Sequence, residues 1–473
     1  MMKKNESVCA KVEGIGSNGE GIIRHEGVTF FVPYSLPQET VRFKTLKVKG
    51  NIGYGKLEEV LTPVPWRVNP VCEVFEKCGG CCLQHLQYEK QLVHKSGVVK
   101  DSLRKIGGLS VDVPIAVASD SPYGYRNKLQ LPSGVDKEGN TVIGFYAERS
   151  HRIIPLEKCA IHPSWAETLI ATLKRFIKET GAKGYDEEKK TGVLRHIVAR
   201  EIGGKFIFTL VCAKRNLRQV DRLISLLQEN FTAFTLYLNV NDKDTNVIFG
   251  EEFSLVYGEG FFEAEEQGIC YEAGPVTFLQ VNENVRGKLY GAALQTVVET
   301  GDEVIIDAYS GGGLLTAMLA KKAKRVYGIE LEKEASECAD KLKAKNDLKN
   351  MTNICGYVEE KLPAVLEKEK DENLRLILDP PRAGIARSVL KALLASGIFS
   401  LTIISCNPAT LARDLGVLTG SLMENEKGEL VKNPAYTEEG LNGYYQISTI
   451  QPYDMFPQTK HVETLVTLNR KER

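Results

Sequence analysis

The chain has 473 residues and a mass of 52.5 kDa, and its 43% hydrophobic and 26% charged residues are typical of a globular protein of two to four domains. Basic and acidic residues balance at 61 each, which excludes a uniformly basic nucleic-acid coat but allows a local basic face. No run approaches the roughly 18 apolar residues of a membrane span. Because the first residues also lack the apolar core of a signal peptide, we expect a cytoplasmic protein with no membrane partner.

Residues 1–62 are expected to form a small β-domain. Short alternating segments separated by Gly and Pro predict a five-stranded barrel of the oligonucleotide-binding kind. From Arg42 to Lys56 there are five basic residues and no acid, which indicates either a solvated edge strand or a surface that follows RNA phosphates. Residues 13–21 and 31–37 resemble a TRAM domain, an RNA-binding barrel of RNA-modifying enzymes.

A Pro-rich linker over 62–70 leads into a central region, for which we predict an α+β domain at 63–265. It begins with a helical pattern over 86–106. Further predicted elements are helices at 164–180 and 217–230 and strands at 142–146 and 205–211.

From residue 266 to 473 strands and helices alternate, which predicts a Rossmann-like domain with a parallel sheet. The predicted strands are 303–307, 325–330, 374–379 and 401–405. The whole chain is therefore expected to be a multidomain α/β protein.

A glycine-rich turn follows the first of these strands. Ser310-Gly311-Gly312-Gly313 precedes a helix, and Glu330 ends the next strand 23 residues after Asp307, where an acid suits ribose hydroxyls. The turn resembles the S-adenosylmethionine site of class I methyltransferases. The alternative is a tight turn needed only for helix packing.

Two later strand ends carry unusual residues. Asp379-Pro380-Pro381-Arg382 ends one strand, and Cys406 ends the other just before a helix, whose N-terminal field favours the reactive thiolate. Near the end of the chain, Glu463 begins a last predicted strand. The alternatives are an inert buried thiol and a solvated glutamate.

Together these segments resemble the RNA uracil-5-methyltransferases over essentially the whole chain. The matching motifs are Asp379-Pro380-Pro381-Arg382, Ser405-Cys406-Asn407-Pro408, His461-Val462-Glu463 and Phe278-Leu279-Gln280-Val281-Asn282. The resemblance implies Cys406 as nucleophile and Glu463 as base. It also implies that Gln280, Tyr309, Glu330 and Asp379 bind S-adenosylmethionine.

The chemistry explains these residue types. Uracil C5 is a weak nucleophile, and addition of a thiolate to C6 turns the ring into an enolate that can accept a methyl group. A base then removes the C5 proton so that the thiolate leaves. The target uridine must be flipped out of a folded RNA to be reached.

Cysteines cluster early in the chain. Cys72, Cys78 and Cys81 are followed by Cys82 and, far downstream, by Cys159; on spacing alone, zinc and an iron–sulfur cluster are comparable. The family resemblance implies a 4Fe–4S cluster on Cys72, Cys78, Cys81 and Cys159, with Cys82 spare. Five further cysteines are expected to serve packing: Cys9, Cys212, Cys270, Cys338 and Cys355.

The leading hypothesis is a monomeric enzyme that methylates 23S ribosomal RNA, because the barrel and the cysteines favour this over the tRNA T-loop enzymes of the family. A radical S-adenosylmethionine enzyme would need C-x3-C-x2-C, whereas this chain has C-x5-C-x2-C. A non-catalytic RNA-binding protein would not need both Cys406 and Glu463. The sequence leaves open which uridine is modified.

Overall fold

The computed structural model describes residues 5–215, 217–277, 279–437 and 439–471, so that Phe278 of the predicted cofactor motif lies outside the described residues. The described chain divides into two compact units. Unit 1 comprises Met1–His94, Ser121–Gly260 and Phe456–Lys460, and unit 2 comprises Lys95–Asp120, Phe261–Met455 and His461–Arg473. Within the described residues, no helix is long and apolar enough to cross a membrane.

The N-terminal sheet of unit 1 has six strands rather than the predicted five. They are β1 (Ser7–Lys11), β2 (Gly14–Ile15), β3 (Gly21–His25), β4 (Val28–Val32), β5 (Thr40–Lys49) and β6 (Ile52–Thr62), in the order β1-β5-β6-β4-β3-β2. The additional strand is β2, whose two residues are too short for a pattern to show; it pairs with the start of β3. Closure of the sheet into a barrel stays a prediction.

The basic run of this sheet lies mostly on the exposed positions of β5 and β6. On β5, Val41 and Phe43 are buried while Lys47 and Lys49 are exposed. Arg42 is exposed too, but its Nη1 pairs with Glu59 Oε2 at 2.5 Å across the strand pair. The acid that the local sequence lacks is therefore supplied by the neighbouring strand.

A second sheet of unit 1 has seven strands in the order β13-β12-β11-β10-β7-β8-β9, with helices on one face. Its elements are β7 (Lys128–Val135), β8 (Thr141–Tyr146), β9 (Ile153–Pro155), α2 (Ser164–Thr180), β10 (Leu194–Ile202), β11 (Lys205–Cys212), α3 (Val220–Gln228), β12 (Phe234–Val240) and β13 (Glu252–Tyr257). Helix α2 buries Leu169, Leu173 and Phe176 at helical spacing against this sheet. Before these elements, helix α1 (Tyr88–Ser102) begins in unit 1 and ends in unit 2, where a π-helical turn, Leu103–Gly107, follows.

Unit 2 has the strand and helix alternation that the sequence predicts. Its elements are β14 (Phe262–Glu266), β15 (Ile269–Ala273), α4 (Glu283–Val297), β16 (Val304–Ala308), α5 (Leu314–Ala320), β17 (Arg325–Glu330), α6 (Lys333–Lys345), β18 (Met351–Cys355), α7 (Val358–Lys368), β19 (Leu374–Leu378), α8 (Arg387–Ala395), β20 (Ser400–Ser405), α9 (Pro408–Thr419), β21 (Leu422–Glu424), β22 (Leu430–Lys432), β23 (Tyr445–Tyr453) and β24 (Glu463–Arg470).

The main sheet of unit 2 has the order β18-β17-β16-β19-β20-β24-β23. Strands β16 to β20 run parallel, and β24 runs antiparallel to both β20 and β23. The chain order reverses on the two sides of β16, so that a crevice opens at the carboxyl ends of β16 and β19, where open α/β sheets bind ligands. The doubly wound Rossmann-like prediction is confirmed.

The central strand β16 is anchored at its start by Glu303, which is fully buried. Its carboxylate accepts hydrogen bonds from the backbone N–H groups of Glu299, Thr300 and Gly301 at 2.7–3.0 Å. Burial alone would raise the pKa of Glu303, but these donors outweigh it and lower the pKa to about 2. The carboxylate thus fixes the loop that leads into the strand carrying the glycine-rich turn.

We predict that Glu303→Gln lowers the free energy of unfolding by about 1–3 kcal/mol at pH 7, because an amide cannot accept all these bonds. Since the folded pKa lies below the usual 4.5, the contribution is present above about pH 4.5 and is lost as the pH falls toward 2. Urea denaturation from pH 7 to pH 3 should show the difference from wild type shrinking. The exposed neighbour Asp302→Asn is the control, and a difference that does not change with pH would contradict the prediction.

Candidate active site

Cys406 and Glu463 come from two neighbouring strands of the unit 2 sheet. Cys406 directly follows β20, and Glu463 is the first residue of β24. Because the strands are antiparallel and Ser405 pairs with Thr464, the end of one lies beside the start of the other. Glu463 is 3% exposed, so it is not the solvated glutamate of the alternative interpretation, and Cys406 is half-buried.

The surroundings of Cys406 disfavour its thiolate form. Burial raises the pKa of Cys406, and Glu463 and Asp379 raise it further, while Arg382 lowers it. The expectation that the field of the following helix favours the thiolate is therefore wrong for the resting site. Burial and two carboxyl groups outweigh the helix terminus.

Three acids at this edge of the sheet all have raised pKa values. Burial raises the pKa of Glu463 well above its usual value, with Asp379 adding to the effect and Arg382 opposing it. Burial also raises the pKa of Asp379 to about 7, with a contribution from Asp307. Asp307 itself is raised to about 7 by burial, although Thr316 Oγ1 donates to its Oδ2 at 2.6 Å. A cation placed among these groups would lower all three pKa values.

The glycine-rich turn is tightly packed at one glycine and open at two others. Gly313 has φ of 79°, and a Cβ there would lie 2.7 Å from Ala339 Cβ of α6, so this glycine allows helix packing. At Gly311 and Gly312, by contrast, a Cβ would meet nothing within 4 Å, which leaves open space for a ligand. Glu330 faces the turn, and Gly311 N–H donates to its Oε2 at 2.8 Å.

The other two predicted cofactor residues are fixed by their backbones. Tyr309 adopts φ of 67°, its N–H donates to Ile329 O at 2.9 Å, and burial raises its phenol pKa to about 12. Gln280 lies before α4, where Arg286 Nη1 donates to its carbonyl at 2.9 Å. The buried Arg286 is in turn paired with Glu266. Glu330 therefore lies at the glycine-rich turn, and Asp379 lies near Cys406 and Glu463. The backbone of Gln280 is bonded to Arg286 of helix α4.

Four of the clustered cysteines in unit 1 are electrostatic neighbours. Burial raises the pKa of Cys81, and the thiols of Cys159, Cys78 and Cys72 raise it further. Burial likewise raises the pKa of Cys159 to about 11, with contributions from Cys72 and Cys78. Across the described residues, no three His, Cys, Asp or Glu side chains are arranged so that they could hold a metal ion. The four thiols share one neighbourhood without forming a ready-made metal-ion site.

The cysteines expected to serve packing differ from one another. Cys212 is buried in the core between the seven-stranded sheet and its helices, as expected. Cys9, Cys270, Cys338 and Cys355 are exposed, so for them the packing prediction is wrong. A strand or helix pattern does not show which of its faces is covered, and these four lie on uncovered positions.

Comparison with known proteins places these observations in one family. The family model described as tRNA (Uracil-5-)-methyltransferase matches residues 87–439. The chain belongs to this family. A protein of Clostridium tetani, called an uncharacterized RNA methyltransferase, is 37% identical and covers 99% of this chain and 97% of its own length. One of the same description from Listeria monocytogenes is 34% identical over 99% of both chains.

A solved structure has the same architecture as this uracil-5-methyltransferase. The tRNA (uracil-54, C5)-methyltransferase of Pyrococcus abyssi, in complex with S-adenosyl-L-homocysteine, is 26% identical with a TM-score of 0.74. The match covers 97% of this chain and 99% of that one. The matches confirm an RNA methyltransferase acting at uracil C5. They also remove the architectural argument against a tRNA substrate, since a tRNA enzyme matches the chain almost throughout.

Sequence analysis did not place three further residues of this methyltransferase in the site. Asp307 was visible as the acid that precedes the glycine-rich turn, and Arg382 stands inside a quoted motif. Tyr290 gave no signal, because it is a single aromatic residue within helix α4 and belongs to no motif. Burial and the nearby Asp379 raise its pKa, so the fold brings it to the buried acids.

We predict that two substitutions shift the reactivity of Cys406 in opposite directions. Arg382→Gln removes a positive charge and so raises the Cys406 pKa, whereas Glu463→Gln removes a carboxyl group whose ionised form raises it, and so lowers it. The measurement is the rate of alkylation by iodoacetamide against pH, followed at the Cys406 peptide by mass spectrometry. The exposed Cys270 in the same samples is the control. Shifts in the same direction would contradict the electrostatic description.

Proposed function

We propose that this protein transfers a methyl group from S-adenosylmethionine to C5 of a specific uridine in 23S ribosomal RNA. The observation that carries the chemistry is the pairing of Cys406 with the buried Glu463 at adjoining strand ends, beside Asp379. A nucleophile and a base within one charged, partly buried site are what covalent activation of uracil requires.

Cys406 is the nucleophile in this proposal. Its thiol gives up a proton to solvent, and the thiolate adds to C6 of the flipped uracil, so that C5 becomes nucleophilic. Arg382 favours this step because it lowers the pKa of Cys406. Glu463 accepts the C5 proton at the end, and its raised pKa suits it to hold that proton.

Gln280, Tyr309, Glu330 and Asp379 are the proposed binding residues for S-adenosylmethionine, which supplies the methyl group when bound. The open space at Gly311 and Gly312, with Glu330 across the turn, suits a ribose. The buried carboxyl groups of Asp379 and Asp307 suit a cationic ligand, because a nearby positive charge returns their raised pKa values toward normal. Glu463 then becomes ionised and competent as a base.

Cys72, Cys78, Cys81 and Cys159 are the proposed ligands of a 4Fe–4S cluster. Four neighbouring thiols supply the soft sulfur ligands that such a cluster needs. A single zinc, with Zn–S distances of about 2.3 Å, would need its sulfurs only about 3.8 Å apart. The family resemblance, and not the spacing of the thiols, favours the iron–sulfur cluster over a zinc ion. Its proposed role is to stabilise the fold or to position the RNA, since no step of the reaction transfers an electron.

The RNA substrate has one specific alternative. The similarity to the Pyrococcus tRNA enzyme over 97% of this chain favours a tRNA T-loop uridine. The proposed cysteine site and the TRAM resemblance favour ribosomal RNA. These two candidates share the same chemistry and differ only in which RNA carries the product.

We predict that deletion of the gene removes 5-methyluridine from 23S ribosomal RNA and leaves the tRNA T-loop methylated. Wild-type protein should restore the modification and Cys406→Ala should not, although it still binds S-adenosylmethionine. Mass mapping of both RNA classes is the measurement. Loss of the T-loop modification instead would decide for the tRNA alternative. Purified wild type with 5-fluorouridine RNA should also give a denaturation-resistant adduct, because fluorine cannot leave as a proton.

We predict that anaerobically purified protein contains about four iron atoms per chain, as a 4Fe–4S cluster requires. Cys81→Ala should lose most of this iron, because Cys81 lies among the other three thiols. Cys82→Ala is the matched control and should keep it. Its sulfur would lie 3.5 Å from a Cβ at Gly19, on the side of the N-terminal sheet. One zinc and no iron would decide for the structural-zinc alternative.

A further inference from the structure

The chain between β23 and β24 leaves unit 2, belongs to unit 1 for five residues and then returns to unit 2. Tyr453 and Asp454 belong to unit 2, whereas the five residues Phe456–Lys460 group with unit 1. The chain returns to unit 2 at His461, two residues before Glu463. What holds this segment in unit 1 therefore bears on where β24 begins.

Gln458 is the best-anchored residue of this segment. It is 1% exposed and adopts φ of 69°, a left-handed conformation that costs energy for a residue with a side chain. Its carbonyl accepts hydrogen bonds from the backbone N–H groups of Cys82 at 3.1 Å and Leu83 at 3.0 Å. Such a conformation persists only where the surroundings determine it.

A second glutamine completes the anchor from helix α1. Gln91 Nε2 donates to Gln458 Oε1 at 2.9 Å, and Gln458 N–H donates to Gln91 Oε1 at 3.1 Å. The same Nε2 donates to the carbonyls of Leu83 and Leu86 at 3.1 and 2.7 Å. Gln91 is also only 1% exposed, so these bonds form away from solvent, where a lost partner is costly.

Neighbouring residues hold both ends of the segment. Tyr125 Oη donates to the Pro457 carbonyl at 3.0 Å, and Thr459 Oγ1 donates to the Phe456 carbonyl at 2.8 Å. Lys460 Nζ donates to Asn18 Oδ1 at 2.8 Å. Pro457, Gln458 and Lys460 are therefore held by residues outside the segment before the chain reaches Glu463.

We infer that Gln91 and Gln458 are positioning residues for Glu463. Neither is among the proposed catalytic or cofactor-binding residues; they fix the chain five residues before the base, and so the start of β24. A displacement of about 1 Å at a reacting group can cost on the order of 100-fold in rate. This inference rests on the proposed function, in which Glu463 is the base of the last step.

Loss of the Gln91–Gln458 hydrogen bonds should affect the last step of the reaction and leave a product that can be detected. Glu463 takes the C5 proton, the C5–H electrons form the C5–C6 double bond, and the Cys406 Sγ–C6 bond breaks with sulfur leaving as thiolate. If Glu463 is displaced, Cys406 still adds to C6 and the methyl group is still transferred. The methylated RNA then stays attached to Cys406.

The test compares Gln91→Ala and Gln458→Asn with Glu89→Ala, an exposed residue of the same helix, as the control. Asn keeps the left-handed backbone but is one methylene shorter, so its amide no longer reaches Gln91. Each variant receives ordinary uridine RNA and cofactor labelled in the methyl group. Turnover, labelled adduct on denaturing gels, cofactor affinity and melting temperature are measured.

We expect turnover to fall about 10- to 100-fold in both anchor variants, with a labelled adduct accumulating and cofactor affinity unchanged. Glu463→Gln should accumulate the same adduct, and Glu89→Ala should behave as wild type. Normal turnover in Gln458→Asn would overturn the inference, as would loss of turnover without adduct while Glu463→Gln gives adduct. No adduct in Glu463→Gln itself would overturn the proposed base and this inference with it.

Discussion

The antiparallel pairing of β24 with β20 is the constraint on which the site depends. Cys406 and Asp379 follow the parallel strands β20 and β19, so both lie at the carboxyl edge of the sheet. Glu463 is the first residue of its strand, and it reaches the same edge only because β24 runs antiparallel to β20. In a parallel orientation, Glu463 would lie at the opposite edge, about 25 Å away for an eight-residue strand. The register matters equally, because a one-residue slip would turn Glu463 to the other face.

Burial of several acids at one edge gives the site its resting state. Asp307, Asp379 and Glu463 all have raised pKa values because burial disfavours their charged forms. The free protein therefore avoids the cost of uncompensated buried charge, with Arg382 as the nearby positive group. The same environment disfavours the thiolate form of Cys406. A cationic ligand would shift the pKa values of all these groups back toward their usual range.

The choice of RNA does not follow from the architecture. A tRNA enzyme matches this chain over 97% of its length, so the distinction must lie in side chains and local sites. The exposed lysines of β5 and the cysteine segment are local features of this kind, whose part in the choice of RNA stays a proposal. The cysteine segment also contributes, through the N–H groups of Cys82 and Leu83, to the hydrogen bonds around Gln458. A segment far from Glu463 in sequence thereby contacts the connection that precedes it.

Patterns among near neighbours in the chain predict the strand–helix alternation of residues 266–473, the glycine-rich turn and the strand-end positions of Cys406 and Asp379. Because the motifs are local, they predict the family as well. The folded chain was needed to show the short strand β2, the neighbourhood of Tyr290 and Asp379, and the direction in which the Cys406 pKa is shifted. It alone joined Gln91 to Gln458, 367 residues apart. Burial, charge proximity and strand register are set by segments distant in the chain, and no local pattern contains them.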